Sequence, residues 1–77
     1  MDVQRLVAMA NDITRYFVFE PDQEAGVEGV AEHLRKFWTP GMCRQIVEHF
    51  NAGGSGLDDL SRSAVARLAA DQDMPTE

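Results

Sequence analysis

The sequence predicts an all-α fold, a small antiparallel array of about four short helices. Three observations predict it. Apolar residues recur at three- and four-residue steps in four successive segments, the spacing of one helix face. No stretch alternates apolar and polar residues as a half-buried strand does. The segments are separated by short breaks built from Pro, Gly and capping residues, and short connections favour antiparallel neighbours.

The first helix is expected from about Asp2 to Phe19. Val3, Leu6, Ala10, Ile13 and Phe17 form its stripe, Val7 and Met9 widen it, and Asp2 stands where an N-cap belongs. Its end carries four consecutive apolar residues, Tyr16, Phe17, Val18 and Phe19, which one helix face cannot accommodate. Some therefore meet a second neighbouring helix or a partner. Pro21 disfavours helical geometry at Glu20 and ends this element. Asp22 caps a second helix, expected to reach Trp38, with Val27, Val30, Ala31, Leu34, Phe37 and Trp38 as its stripe. Gly26 and Gly29 lie on it, and each costs about 1 kcal/mol against Ala in a helix interior. That cost is tolerated where another backbone approaches closely.

Thr39-Pro40 reads as an N-cap followed by proline at the first helical position. The third helix runs from about Pro40 to Asn51, with Met42, Cys43, Ile46, Val47 and Phe50 apolar. Gly53-Gly54-Ser55-Gly56 stops it. The fourth helix is expected from about Asp58 to Ala70, with Leu57, Leu60, Ala64, Val65 and Leu68 as its stripe and Asp58 and Asp59 facing the positive end of its dipole. Residues 1–70 thus read as a single helical domain and 71–77 as a disordered C-terminal tail.

Seventy-seven residues bound what this chain does alone. A core in so small a domain supplies about 3–5 kcal/mol of net stability, so disulfides, metals or partners often assist. Cys43 is the single cysteine, which excludes an internal disulfide. Cys43, His33 and His49 do not have zinc-site spacing, so no metal site is expected. A partner remains. No apolar run approaches the ~18 residues of a membrane span, and the first residues lack a basic-then-apolar secretion signal, so a cytoplasmic location is expected. The net charge is −6, a poor match for nucleic acid, whose affinity rests on phosphate neutralisation.

The charge is uneven. Residues 1–34 carry two arginines against seven carboxylates, whereas Arg35, Lys36 and Arg44 face Glu48 alone in residues 35–50. This basic island surrounds His33-Leu34-Arg35-Lys36-Phe37-Trp38-Thr39-Pro40, which holds the chain's only Trp and only Lys. Two large aromatics at a helix end, beside cations, suit either a core anchor or a docking surface. The bland alternative for the cations is a solvated helix end that complements the dipole.

The other candidates for chemistry have structural readings. Cys43 sits among apolar neighbours, where an inert buried thiol is the default. His33 and His49 suit surface or capping roles. The glycine run lacks the Gly-Lys-Ser/Thr ending and the preceding strand of a phosphate loop, and reads as a helix connection. Glu24, Glu28 and Glu32 recur every four residues as an acidic ridge, expected to be a solvated face.

Three segments carry a family resemblance. Leu6-Val7-Ala8-Met9-Ala10-Asn11-Asp12-Ile13, with Phe17 beyond, comes first. His33 to Thr39 followed by Pro40-Gly41-Met42 is the central motif, and Gly53-Gly54-Ser55-Gly56-Leu57-Asp58-Asp59-Leu60 is the last. In this order they resemble the small delta subunit of cytoplasmic NAD-dependent formate dehydrogenases, from about residue 4 to residue 68. The Phe-Trp-x-Pro-x-Met core and the Gly-Gly-x-Gly-Leu turn are the specific part. Gly41 stands where the family commonly has Arg, and Asp59 where Pro is common.

The resemblance implies a non-catalytic accessory subunit with no cofactor of its own. It implies partner subunits that carry a molybdenum or tungsten pterin, iron–sulfur clusters and flavin. One Cys does not hold an iron–sulfur cluster, which takes four ligands as a rule. The expected partner-binding residues are Phe37 and Trp38 as anchors, with Arg35, Lys36, Arg44 and His33 around them; the competing core reading weighs more for Phe37 than for Trp38. Two alternatives stand beside this: an assembly chaperone that contacts the pterin cofactor through the same cations, and a self-associating helical module that dimerises through Tyr16–Phe19.

Overall fold

The computed structural model describes residues 2–73. Four helices follow one another, α1 (Val3–Thr14), α2 (Gln23–Phe37), α3 (Pro40–Asn51) and α4 (Asp59–Asp73). Each begins on a side-chain cap that satisfies one of the free N–H groups of its first turn. Asp2 accepts from the Gln4 N–H, Asp22 from the Glu24 N–H, Thr39 from the Met42 N–H and Asp58 from the Ser61 N–H, the last at 2.7 Å. Pro40 occupies the first helical position of α3, where its missing N–H is not needed.

Two boundaries differ from the sequence expectation. Helix α1 ends at Thr14, not Phe19. Residues 15–19 instead form turns, in which Tyr16 and Phe17 donate to the carbonyls of Ile13 and Thr14 and Glu20 donates to that of Phe17. The Thr14 hydroxyl lies 2.7 Å from the Asn11 carbonyl and 2.9 Å from Asp58 Oδ2, so side-chain bonds compete with the continued helix there. The turns resolve the crowding of four apolar neighbours: Phe17 packs inward, while Tyr16, Val18 and Phe19 stay exposed. Helix α4 continues to Asp73, past the expected end at Ala70. Asp71, assigned by the sequence to the tail, lies in this helix and pairs with Arg35; residues 74–77 of that tail lie outside the described residues.

The core gathers one stripe from each helix. Leu6, Ala10, Val30, Ala31, Leu34, Ile46, Ala64 and Val65 are all fully buried, and Trp38, Cys43 and Leu57 close around them. Helices α2 and α4 share the largest interface. Along it Gly26 lies near Leu60, Glu28 meets Arg67 and Arg35 meets Asp71, so both helices advance in the same sense. That is the relation of alternate members in an up-and-down array.

The glycine turn is a built element. Gly54 and Gly56 have φ of 66° and 90°, a region that side chains disfavour. The carbonyls of Gly54, Ser55 and Gly56 are each engaged by a side chain: Arg62 at 3.0 Å, His49 at 2.8 Å and the Asn11 amide at 2.9 Å. This explains the run as a helix connection, with its polar backbone turned to the protein's own groups.

Candidate partner-binding surfaces

The six residues that the sequence nominates come from the C-terminal half of α2, the Trp38 cap that follows it and the second turn of α3, but they do not form one exposed patch. Trp38 is buried, 7% exposed, in the core. Phe37, one position earlier, is 71% exposed. The sequence weighting between them is reversed, and geometry explains why. Positions 37 and 38 lie three and four residues after Leu34, so both extend the stripe. Helix α2 ends at Phe37, however, and Trp38 adopts extended geometry (φ −90°, ψ 147°) as the chain turns into α3. Departure from the helix at this residue carries the indole into the core and leaves the phenyl ring outside.

The cations separate in a similar way. Arg35 is exposed but already paired, donating to Glu28 at 3.0 Å and pairing with Asp71. Lys36 is exposed, with its own-helix neighbour Glu32 at 3.5 Å. Arg44 is exposed on α3 and makes no ion pair among the described residues. The half-buried His33 ring packs against Phe37, centroids 4.7 Å apart and tilted by 43°. The surface that remains is therefore Phe37 backed by His33, with Lys36 and Arg44 as available charge.

A second apolar surface lies at the other end of α2. Tyr16, Val18 and Phe19 are 84%, 60% and 89% exposed. With Phe37 they are the large apolar side chains that the described residues leave open to solvent. The signal for it was the run of four apolar neighbours at the end of α1.

Other polar groups that the sequence offered are engaged in the fold. The acidic ridge is solvent-exposed, and two of its three members also clasp α2 to α4: Arg67 joins Glu24 and Glu28, and Arg35 joins Glu28 and Asp71. The hydrogen bond from Arg67 is the main reason the Glu28 carboxyl titrates below its usual range. The Cys43 thiol is buried against the Leu34 carbonyl, 3.6 Å away, and burial pushes its pKa up, away from a reactive thiolate. Asn11 is the residue that sequence reasoning passed over. Its Oδ1 accepts from the Asp58 N–H and from the hydroxyl of the fully buried Ser61, while its amide donates to Gly56.

Among the described residues no group of three or more His, Cys, Asp or Glu side chains is placed to hold a metal ion. No described helix is long and apolar enough to cross a membrane. What the exposed groups offer is contact: an aromatic beside cations at one end of α2, and a cluster of aromatics at the other.

No curated protein and no solved structure matches the chain. A family model does match, over residues 5–65, a span that contains all three motif segments, the Asn11 network and both aromatic surfaces. The chain belongs to the family of the NADH-dependent formate dehydrogenase delta subunit FdsD.

Proposed function

We propose that this chain is a non-catalytic accessory subunit that docks on the catalytic subunit of a cytoplasmic, molybdenum- or tungsten-containing formate dehydrogenase, where it supports complex stability or cofactor insertion. In this reading the partner subunits carry the pterin, iron–sulfur and flavin centres. Family membership supplies the enzyme. The observation that carries docking is Phe37, 71% exposed at the end of a helix and packed against the tilted His33 ring, with exposed Lys36 and Arg44 nearby in sequence. Aromatic side chains and arginine are enriched at protein interfaces. Trp38 belongs to the core, and Arg35 braces α2 against α4. A chaperone that grips the pterin phosphate needs converging cations, and Arg35 is already committed to Glu28 and Asp71; this favours docking on protein.

The test is co-purification with a tagged catalytic subunit from cells that express the whole complex. The wild-type chain is expected to co-elute, and Phe37→Ala combined with Arg44→Glu is expected to lower its yield at least about tenfold, equivalent to about 1.4 kcal/mol. Helical circular dichroism of the isolated double variant should match wild type. Undiminished co-elution of the variant refutes this docking site, and a wild-type chain that never co-elutes refutes the subunit reading itself.

A further inference from the structure

The exposed cluster at the end of α1 is not used by the docking site above. The connection after α1 lies close on α2, and the two helix glycines make this possible. A Cβ on Gly26 would stand 3.2 Å from the Phe17 carbonyl oxygen, and one on Gly29 would stand 2.6 Å from the Phe17 ring. Phe17 thereby anchors the turn. Its neighbours Tyr16, Val18 and Phe19 are held outward on an anchored support, an arrangement that lowers the ordering cost of binding. Grooves flank Val18 on both sides and share Leu60 and Asp59 in their walls.

The surroundings of this cluster are acidic. Glu20 and Asp59 edge one groove, and Asp58 and Asp59 edge the other. Arg15 is the one cation here among the described residues, and it pairs with Asp12 at 3.5 Å. A two-fold contact with a second copy would set these carboxylates against their own kind, which opposes association. Nucleic acid is repelled for the same reason.

We propose that Tyr16, Val18 and Phe19 form a second docking surface, for a partner protein that presents an apolar pocket framed by lysine and arginine. The proposal rests on the accessory-subunit reading, and the partner is then another surface of the same complex. The fifteen residues of α2, Gln23–Phe37, stand between this cluster and Phe37. At about 1.5 Å per residue they separate the two by about 20 Å. One surface is aromatic with basic neighbours and the other aromatic with acidic neighbours. The small subunit therefore bridges two sites of opposite charge.

The experiment uses the assembled complex with a tagged catalytic subunit. Tyr16→Ser/Phe19→Ser removes the apolar centre at highly exposed positions, and Glu20→Lys/Asp59→Lys reverses the rim. Each is expected to lower retention of the small subunit at least about tenfold. The full-length variants, isolated, should keep wild-type helical circular dichroism. Wild-type retention should also weaken as salt rises, as screened opposite charges require. Retention within about twofold of wild type for the serine pair overturns the surface, even where Phe37→Ala still releases the chain and the subunit reading stands. Full retention of the lysine pair overturns the basic character of the partner. Light scattering of the isolated chain adds a further arm: growth in mass with concentration that Phe19→Ser abolishes assigns the cluster to self-association and overturns the proposal. A wild-type chain absent from the complex removes the underlying reading and this inference with it.

Discussion

Gly29 lacks a side chain in the middle of a helix because the Phe17 ring occupies the place where one would stand, 2.6 Å from an ideal Cβ. Two effects oppose each other in Gly29→Ala. Helix propensity favours Ala by about 1 kcal/mol. Overpacking costs about 1–3 kcal/mol, and here the ring must leave its seat on α2. The steric effect should win, so thermal unfolding of Gly29→Ala is expected at a lower temperature than wild type; an unchanged or raised midpoint would show that Phe17 has room to move. A second contrast concerns the adjacent aromatics. Trp38→Ala empties a core site and is expected to cost about 3–5 kcal/mol, as much as a domain of this size holds in total. Helical circular dichroism should collapse at 25 °C. Phe37→Ala alters an exposed position and should shift stability by no more than about 0.5 kcal/mol. If both variants melt alike, the assignment of one ring to the core and the other to the surface is wrong.

Between elements, Asn11 ties α1 to the glycine turn and to the start of α4 through three side-chain hydrogen bonds. Asn11→Ala leaves the fully buried Ser61 hydroxyl without this acceptor, a loss of about 1–3 kcal/mol. The expected signature is local: amide hydrogen exchange should speed up first at Asp58 to Arg62, whereas uniform acceleration across all four helices would mean that Asn11 supports the fold only globally. The elements themselves were legible because their determinants are local. Stripes at three- and four-residue steps, caps at Asp2, Asp22 and Thr39, and the Gly53–Gly56 stop are read within a few positions of one another. Asn11 was not legible, because its partners lie 45 to 50 residues further along the chain. The same distinction governs the candidate site. Phe37 and Trp38 both continue the α2 stripe, and the choice between them depends on how the chain turns into α3. Arg35 reads as a free cation until α4 brings Asp71 beside it. The early end of α1 was hidden for the same reason, since Thr14 finds Asp58 across the fold.

At the scale of the molecule, the largest interface is also the most charged. Glu24, Glu28, Arg35, Arg67 and Asp71 form a continuous clasp over the outside of the α2–α4 contact. Isolated surface pairs contribute little, but Glu28 here receives bonds from two arginines, both of which bind a second carboxylate as well. Its carboxyl is held below the ordinary value of 4.5, first by the Arg67 hydrogen bond, which desolvation opposes, and then by the charges of Arg35 and Arg67. A depressed carboxyl pKa fixes the sign. The folded state holds this proton less tightly than the unfolded state, so the contribution is fully present above about pH 4.5 and disappears as the pH falls through the lower folded value. Glu28→Gln should therefore lower the unfolding midpoint at pH 7, and its deficit against wild type should narrow steadily as the pH drops below 4.5. High salt should narrow it too, because the clasp is open to solvent. Parallel curves for the two proteins from pH 7 to pH 3 would show that the clasp is only a crowd of surface charges, and that apolar packing alone holds α2 on α4.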